Sequence, residues 1–116
     1  MTAMETVPRF DTIEVGDELP VLRAPAIARS TLAYYAGASG DRNPIHIDID
    51  FARSAGQDDV FAHGMLARAY AGRALTDWAG QQALREFGVR FVAITRLHER
   101  LQCRARVTAK NQLGGE

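Results

Sequence analysis

The sequence predicts an α+β fold in which an antiparallel sheet wraps one long helix. Three observations carry that prediction. The stretch HGMLARAYAGRALTDWAG, His63 to Gly80, carries three charged residues (Arg68, Arg73 and Asp77) among many alanines and glycines. A helix so apolar and small-sided suits close burial by its neighbours. From Arg85 the period changes: Phe87, Val89, Phe91 and Ala93 alternate with Glu86, Gly88, Arg90 and Val92, a strand pattern. LQCRARV alternates more cleanly, with Leu101, Cys103, Ala105 and Val107 on one face and Gln102, Arg104 and Arg106 on the other.

The remaining elements follow in chain order. VGDEL, Val15 to Leu19, reads as a turn through Gly16 and Asp17. PVLRAPAI, Pro20 to Ile27, is extended, and Pro25 assigns it to an edge or a strand end, since proline has no N–H to donate. TLAYYAGA is a short helix capped by Ser30 or Thr31 and ended by Gly37 and Gly40. FARSAG is a second, capped by Asp48 or Asp50 and stopped by Gly56. Gly72 lowers the helix propensity of the long helix, so close packing is the reason expected for it. The turn signal Gly114-Gly115 normally leads to another element, so the sheet is expected without its last strand.

With 116 residues the chain is read as one domain, 1–116, small enough to favour a dimer. Fourteen basic and fourteen acidic residues cancel, which argues against nucleic acid as a partner. Cys103 is the only cysteine, so no internal disulfide or thiolate cluster can form. The opening MTAMETVPRFDTIEVGDELP lacks the apolar core of a signal peptide, and no stretch approaches the ~18 apolar residues of a membrane span. The expectation is a soluble, cytoplasmic protein with no membrane partner.

SGDRNPIHID concentrates an acid, an amide, a proline and an imidazole. Pro44 fixes its own φ and pushes Asn43 towards an extended conformation, so Asp41 to His46 is expected as a stiff loop rather than a helix. Stiffness matters because acid–base groups act only when held in register with a substrate. Asp41 can hold or activate a water, the imidazole of residue 46 is of the type that exchanges protons near neutrality, and Asn43 both donates and accepts. The plain alternative is a capped turn with a surface histidine. A second stretch, FAHGMLARAY, weighs against it. There His63-Gly64 opens the long helix, whose first N–H groups lack partners at its positive end. A glycine there admits a ligand carbonyl close to the backbone. Together the two stretches suit chemistry at a carbonyl-activated carbon. Ser39 either lines this site or makes a helix-ending hydrogen bond. A metal on Asp41, His46 and His63 is the weaker reading, and His63 is expected to hold the loop against the helix start. Tyr34, Tyr35, Tyr70 and Trp78 are assigned to the core or a dimer interface. Cys103 is read as buried and inert.

YAGASGDRNPIHID followed by FAHGMLARAY resembles the MaoC-like hydratases, the (R)-specific enoyl-thioester hydratases and 3-hydroxyacyl-thioester dehydratases. Their pattern, G-D-x-N-P-[LIV]-H-x-D and then A-H-G-[ML], is met by Gly40, Asp41, Asn43, Pro44, Ile45, His46 and Asp48, and by Ala62, His63, Gly64 and Met65. IEVGDELP and REFGVRF are also similar. The resemblance implies a hot-dog fold, an antiparallel β-sheet wrapped around the long helix and paired across a homodimer or with a related subunit. It implies water addition to a trans-2-enoyl thioester of CoA or acyl carrier protein, giving the (R)-3-hydroxyacyl thioester. Asp41 and His46 would bind one water, Asn43 would steady them, and Gly64 N–H would polarise the thioester carbonyl. Ser39, Asn43 and His63 become candidate substrate-binding residues. No metal or organic cofactor is implied. AITRLHERLQC lacks the Pro-Gly-Asp turn of many relatives. Two rival readings are a non-catalytic partner subunit of a heteromeric dehydratase and a hot-dog thioesterase. The presence of both Asp41 and His46 favours the enzyme.

Overall fold

The computed structural model describes residues 8–111. The first strand, β1 (Leu22–Ala26), pairs antiparallel with the last, β2 (Arg100–Cys103). Leu22 stands opposite Cys103, Arg23 opposite Gln102, and Ala26 opposite Arg100, so the register slips between Arg23 and Ala26. That slip spans Pro25, where a ladder hydrogen bond could not have been made. Backbone pairing continues beyond the strands: Leu19 N–H donates to Ala105 O (2.9 Å), Val107 N–H to Asp17 O (2.8 Å) and Gly16 N–H to Val107 O (2.8 Å). The expected alternation holds, with Leu101, Cys103, Ala105 and Val107 half-buried and Gln102, Arg104 and Arg106 exposed. Cys103 is thus only partly covered, and its burial pushes the thiol pKa up. The turn at Val15-Gly16 forms with Gly16 left-handed at φ 96°.

Three α-helices lie between the strands: α1 (Arg29–Ser39), α2 (Ile49–Ser54) and α3 (Gly64–Ala79). Helix α1 starts earlier than its hydroxyl residues predict, with Ala28 as N-cap; Thr31 Oγ1 reaches back to accept Ala28 N–H at 3.3 Å. It runs through Gly37 and stops at Gly40, whose left-handed φ of 81° a side chain would oppose. Asp48 caps α2 as expected, its carboxylate accepting from the N–H groups of Asp50 and Phe51. His63 and Gly80 bound α3, matching the predicted helix to within a residue at each end.

The core gathers Ile27, Leu32, Ala52, Val60, Ala62 and Leu66, with Tyr35, Ile45, Tyr70, Leu97 and Leu101 packed around it. It therefore sits under α1, α2 and the first turn of α3. Tyr34 is not part of it and faces solvent.

The stretch from Phe87 to Ala93 departs from expectation: it forms no strand. Its alternation still sets a face. The Phe91 ring rests on Gly64 and the Phe87 ring on Gly72, each at 3.3 Å from where a Cβ would be. Side-chain alternation selects a face, but a strand needs a neighbouring backbone. Among the described residues none pairs with this stretch. Pairing resumes where Ala62 N–H donates to Thr95 O (2.8 Å) and Phe61 bridges Arg96. The connection into β2, lacking Pro-Gly-Asp, turns on His98 at φ 70°, whose N–H donates to Ile27 O (2.7 Å). Gly114-Gly115 and the first seven residues lie outside the described residues. Among the described residues no helix is long and apolar enough to cross a membrane.

Candidate active site

The loop between α1 and α2 is built from short polar turns. Ser39 Oγ accepts Asp41 N–H (3.1 Å), Asp41 Oδ1 accepts Asn43 N–H (3.2 Å), and Asn43 Oδ1 accepts Ile45 N–H (3.1 Å). Each side chain thus folds back on the backbone two residues ahead, the habit of Asx and Ser turns. Asn43 sits at ψ 123°, outside the helical region, as the residue before a proline should. The expected loop does contain one turn of 3₁₀ helix, Pro44–His46, which proline can start because its missing N–H would have no partner there.

His46 is half-buried, with Nδ1 2.9 Å from Phe61 O. A carbonyl can only accept, so Nδ1 carries the proton and Nε2 keeps a free lone pair. The Phe61 ring meets the imidazole edge-on at 5.1 Å and confines it further.

His63 is 1% exposed, and its Nε2 lies 3.0 Å from Asp41 O, to which it donates. Its ring stacks on His46 at 4.0 Å and meets Tyr35 edge-on at 4.8 Å. Burial is the main cause that pushes the His63 pKa below its ordinary value. The hydrogen bond to Asp41 O opposes this, a positive charge on His46 adds to it, and the Asp41 charge opposes it weakly. Burial thus favours the neutral form of His63, and its hydrogen bond to Asp41 O ties the loop to the start of α3. Its Nδ1 is buried without a partner among the described residues.

These contacts bring Asp41, His46 and His63 together: a carboxylate oxygen and one nitrogen of each ring lie within 4.8 Å of one another. Two hydrogen bonds of about 2.8 Å end to end span that separation, so one water can bridge Asp41 and His46. The same atoms could serve a divalent cation, with one nitrogen of each histidine already engaged by a backbone carbonyl. A cleft lined by Arg29, Ser30, Ala33, Ile47 and Val60 opens onto His46.

Gly64 follows His63 as the first residue of α3 and is exposed. Its N–H belongs to the first turn, which has no intrahelical acceptor. Asp41, His46, His63 and Gly64 are thus assembled at one helix start. The oxygens of Ser39 and Asn43, and Nε2 of His63, are engaged by the loop backbone. Sequence reasoning missed Phe61, which acts through its carbonyl and so leaves no signal in residue type. It also placed Phe91 only as a strand residue.

The chain matches the MaoC like domain over residues 9–116. It is 34% identical over 93 residues to a fatty acid synthase beta subunit, hexB, of Dothistroma septosporum, covering 77% of this chain and 5% of that one. It therefore spans only a small fraction of this curated relative. Among solved structures it is similar to the ChsH1-ChsH2 complex from Mycobacterium tuberculosis, with a TM-score of 0.76, 29% identity, and 85% and 78% of the two chains covered. The R-hydratase PhaJ1 from Pseudomonas aeruginosa gives 0.75 and 28%, covering 89% and 66%. The small antiparallel sheet against α3 is that of the hot-dog fold these neighbours share, and the chain belongs to the MaoC-like domain family.

Proposed function

We propose that this protein is a hydro-lyase that adds water reversibly to trans-2-enoyl thioesters, of CoA or acyl carrier protein, to give (R)-3-hydroxyacyl thioesters. The observation that carries this reading is the Asp41 carboxylate and His46 imidazole held within one water's reach, beside the free N–H of Gly64. The bridging water attacks C3, and the proton it sheds passes to the dyad through the free lone pair of His46. As the C2–C3 π electrons shift towards the carbonyl, Gly64 N–H stabilises the developing enolate oxygen. C2 then takes a proton, so the sum is one water across the double bond. Asn43 and Ser39 keep Asp41 in register, and His63 holds both loop and imidazole; any of the three that also touches substrate does so from these positions.

The assembly proposed is a dimer, of two copies or with a related subunit. The stretch from Leu84 to Ile94 supports it, since Val89, Val92 and Ile94 are exposed there on a backbone with no strand partner among the described residues.

The test is incubation of the purified protein with crotonyl-CoA and with a longer enoyl-CoA. Loss of enoyl absorbance with the thioester intact is expected. Release of free CoA without hydration would instead identify a thioesterase, and activity only after adding a second subunit would identify a partner chain.

A further inference from the structure

We propose that Phe91 is a specificity-determining residue whose ring walls the space in front of Gly64 N–H and restricts the site to enoyl thioesters unsubstituted at C2. This deepens the hydration reading and rests on it. Ring atoms Cε1, Cζ and Cδ1 of Phe91 stand 3.3, 3.4 and 3.5 Å from the position of a Cβ on Gly64. In a helix every Cα–Cβ bond tilts towards the N-terminus, and the unpaired N–H groups of the first turn face the same end. A ring lying on the Cβ direction of the first helical residue therefore borders the volume that its N–H addresses.

A second aromatic contact on the same helix gives the contrast. Phe87 rests on Gly72 in the same way, but the Arg68 guanidinium covers its ring at 5.0 Å and the residue is half-buried. Phe91 is 55% exposed, so its ring stays open to solvent at Gly64, the residue that follows His63 of the Asp41–His46–His63 cluster. That ring is apolar, so it favours hydrocarbon and offers nothing to a charged group.

The geometry limits what fits. A thioester oxygen accepting from Gly64 N–H sits about 2.9 Å from that nitrogen, and C2 is two bonds from the oxygen. A methyl on C2 extends a further ~1.5 Å and needs about 3.5–4.0 Å of clearance from the ring carbons. The ring stands 3.3 Å from the Cβ direction of Gly64, so a C2 methyl turned to that side would meet it.

The experiment compares kcat/KM for crotonyl-CoA and 2-methylcrotonyl-CoA in the wild type, Phe91→Ala and Phe87→Ala. The wild type is expected to prefer crotonyl-CoA, and Phe91→Ala to narrow that preference about 10-fold or more, the size typical of one apolar clash. Phe87→Ala should lower thermal stability and leave the preference unchanged. Phe91→Leu, a smaller apolar side chain, replaces Phe91→Ala if the latter does not fold, and should shift the ratio in the same direction. An unchanged ratio in the Phe91 variants, or a wild type indifferent to the methyl, would overturn the proposal while hydration stands. No hydration of either substrate by the wild type would overturn the functional reading and this proposal with it.

Discussion

The loop from Ser39 to Asp48 and the stretch from Leu84 to Ile94 both border the start of α3, yet they are held by opposite means. The loop is specified locally. Ser39, Asp41, Asn43 and Asp48 each bind backbone N–H groups two or three residues on, and Pro44 sets its own dihedral. Among the described residues the second stretch has no internal scaffold of this kind. It is held by two phenyl rings on two helix glycines and by pairing that resumes at Thr95. The lesson is that the self-scaffolded region carries Asp41 and His46, while the one held by rings on helix glycines carries Phe91 against Gly64.

The largest expected effect tests the self-scaffolded side. Asp41→Asn or His46→Gln should lower hydration by about 10²–10⁴-fold, the usual contribution of a positioned acid–base group. Circular dichroism and thermal melting should show the fold retained, because Asp41→Asn keeps an oxygen that can accept Asn43 N–H and His46→Gln keeps an N–H that can donate to Phe61 O. Wild-type rates in either variant would remove the dyad from the chemistry.

An intermediate effect lies in the link between loop and helix. His63 is held below its ordinary pKa of 6.5 by burial, so the folded chain binds fewer protons there than the unfolded chain. Stability from this group is complete above the ordinary pKa and is lost as pH falls from about 6.5 towards the lowered value. The denaturation midpoint of the wild type should therefore drop over that interval. His63→Gln, which can still donate to Asp41 O but does not titrate, should show a shallower drop; parallel curves would mean that His63 is not the group responsible.

The smallest effect is expected on the side held by rings on helix glycines. Gly72→Ala gains helix propensity of roughly 1 kcal/mol, but its methyl would meet Phe87 Cε2 at 3.3 Å. The Phe87 backbone is in no strand ladder and is tied only by its carbonyl accepting from Arg68 Nη2 at 3.4 Å among the described residues, so the ring can shift and the change in stability should be within about 1 kcal/mol in either direction. A loss of several kcal/mol would show that the stretch is as rigid as the loop.

The same contrast explains what the sequence disclosed. Turn residues act on neighbours two or three positions away, so Asp41, Asn43, Pro44 and Asp48 announce their own geometry. Helix α3 was legible end to end because composition and both flanking residues agree. The stretch from Phe87 to Ala93 was legible only as a face, since alternation says nothing about which backbone lies alongside. The Phe61 carbonyl and the His63–His46 stack were hidden for a related reason. They arise from residues 15 and 17 positions apart in the chain, met only once the core has closed.

The most direct test of the central claim is turnover of crotonyl-CoA in isotope-labelled water. The predicted product is (R)-3-hydroxybutyryl-CoA with the labelled oxygen on C3 and the thioester unbroken, formed by the wild type and lost in Asp41→Asn. Labelled oxygen in a free carboxylate alongside released CoA, or hydration that persists in Asp41→Asn, would contradict it.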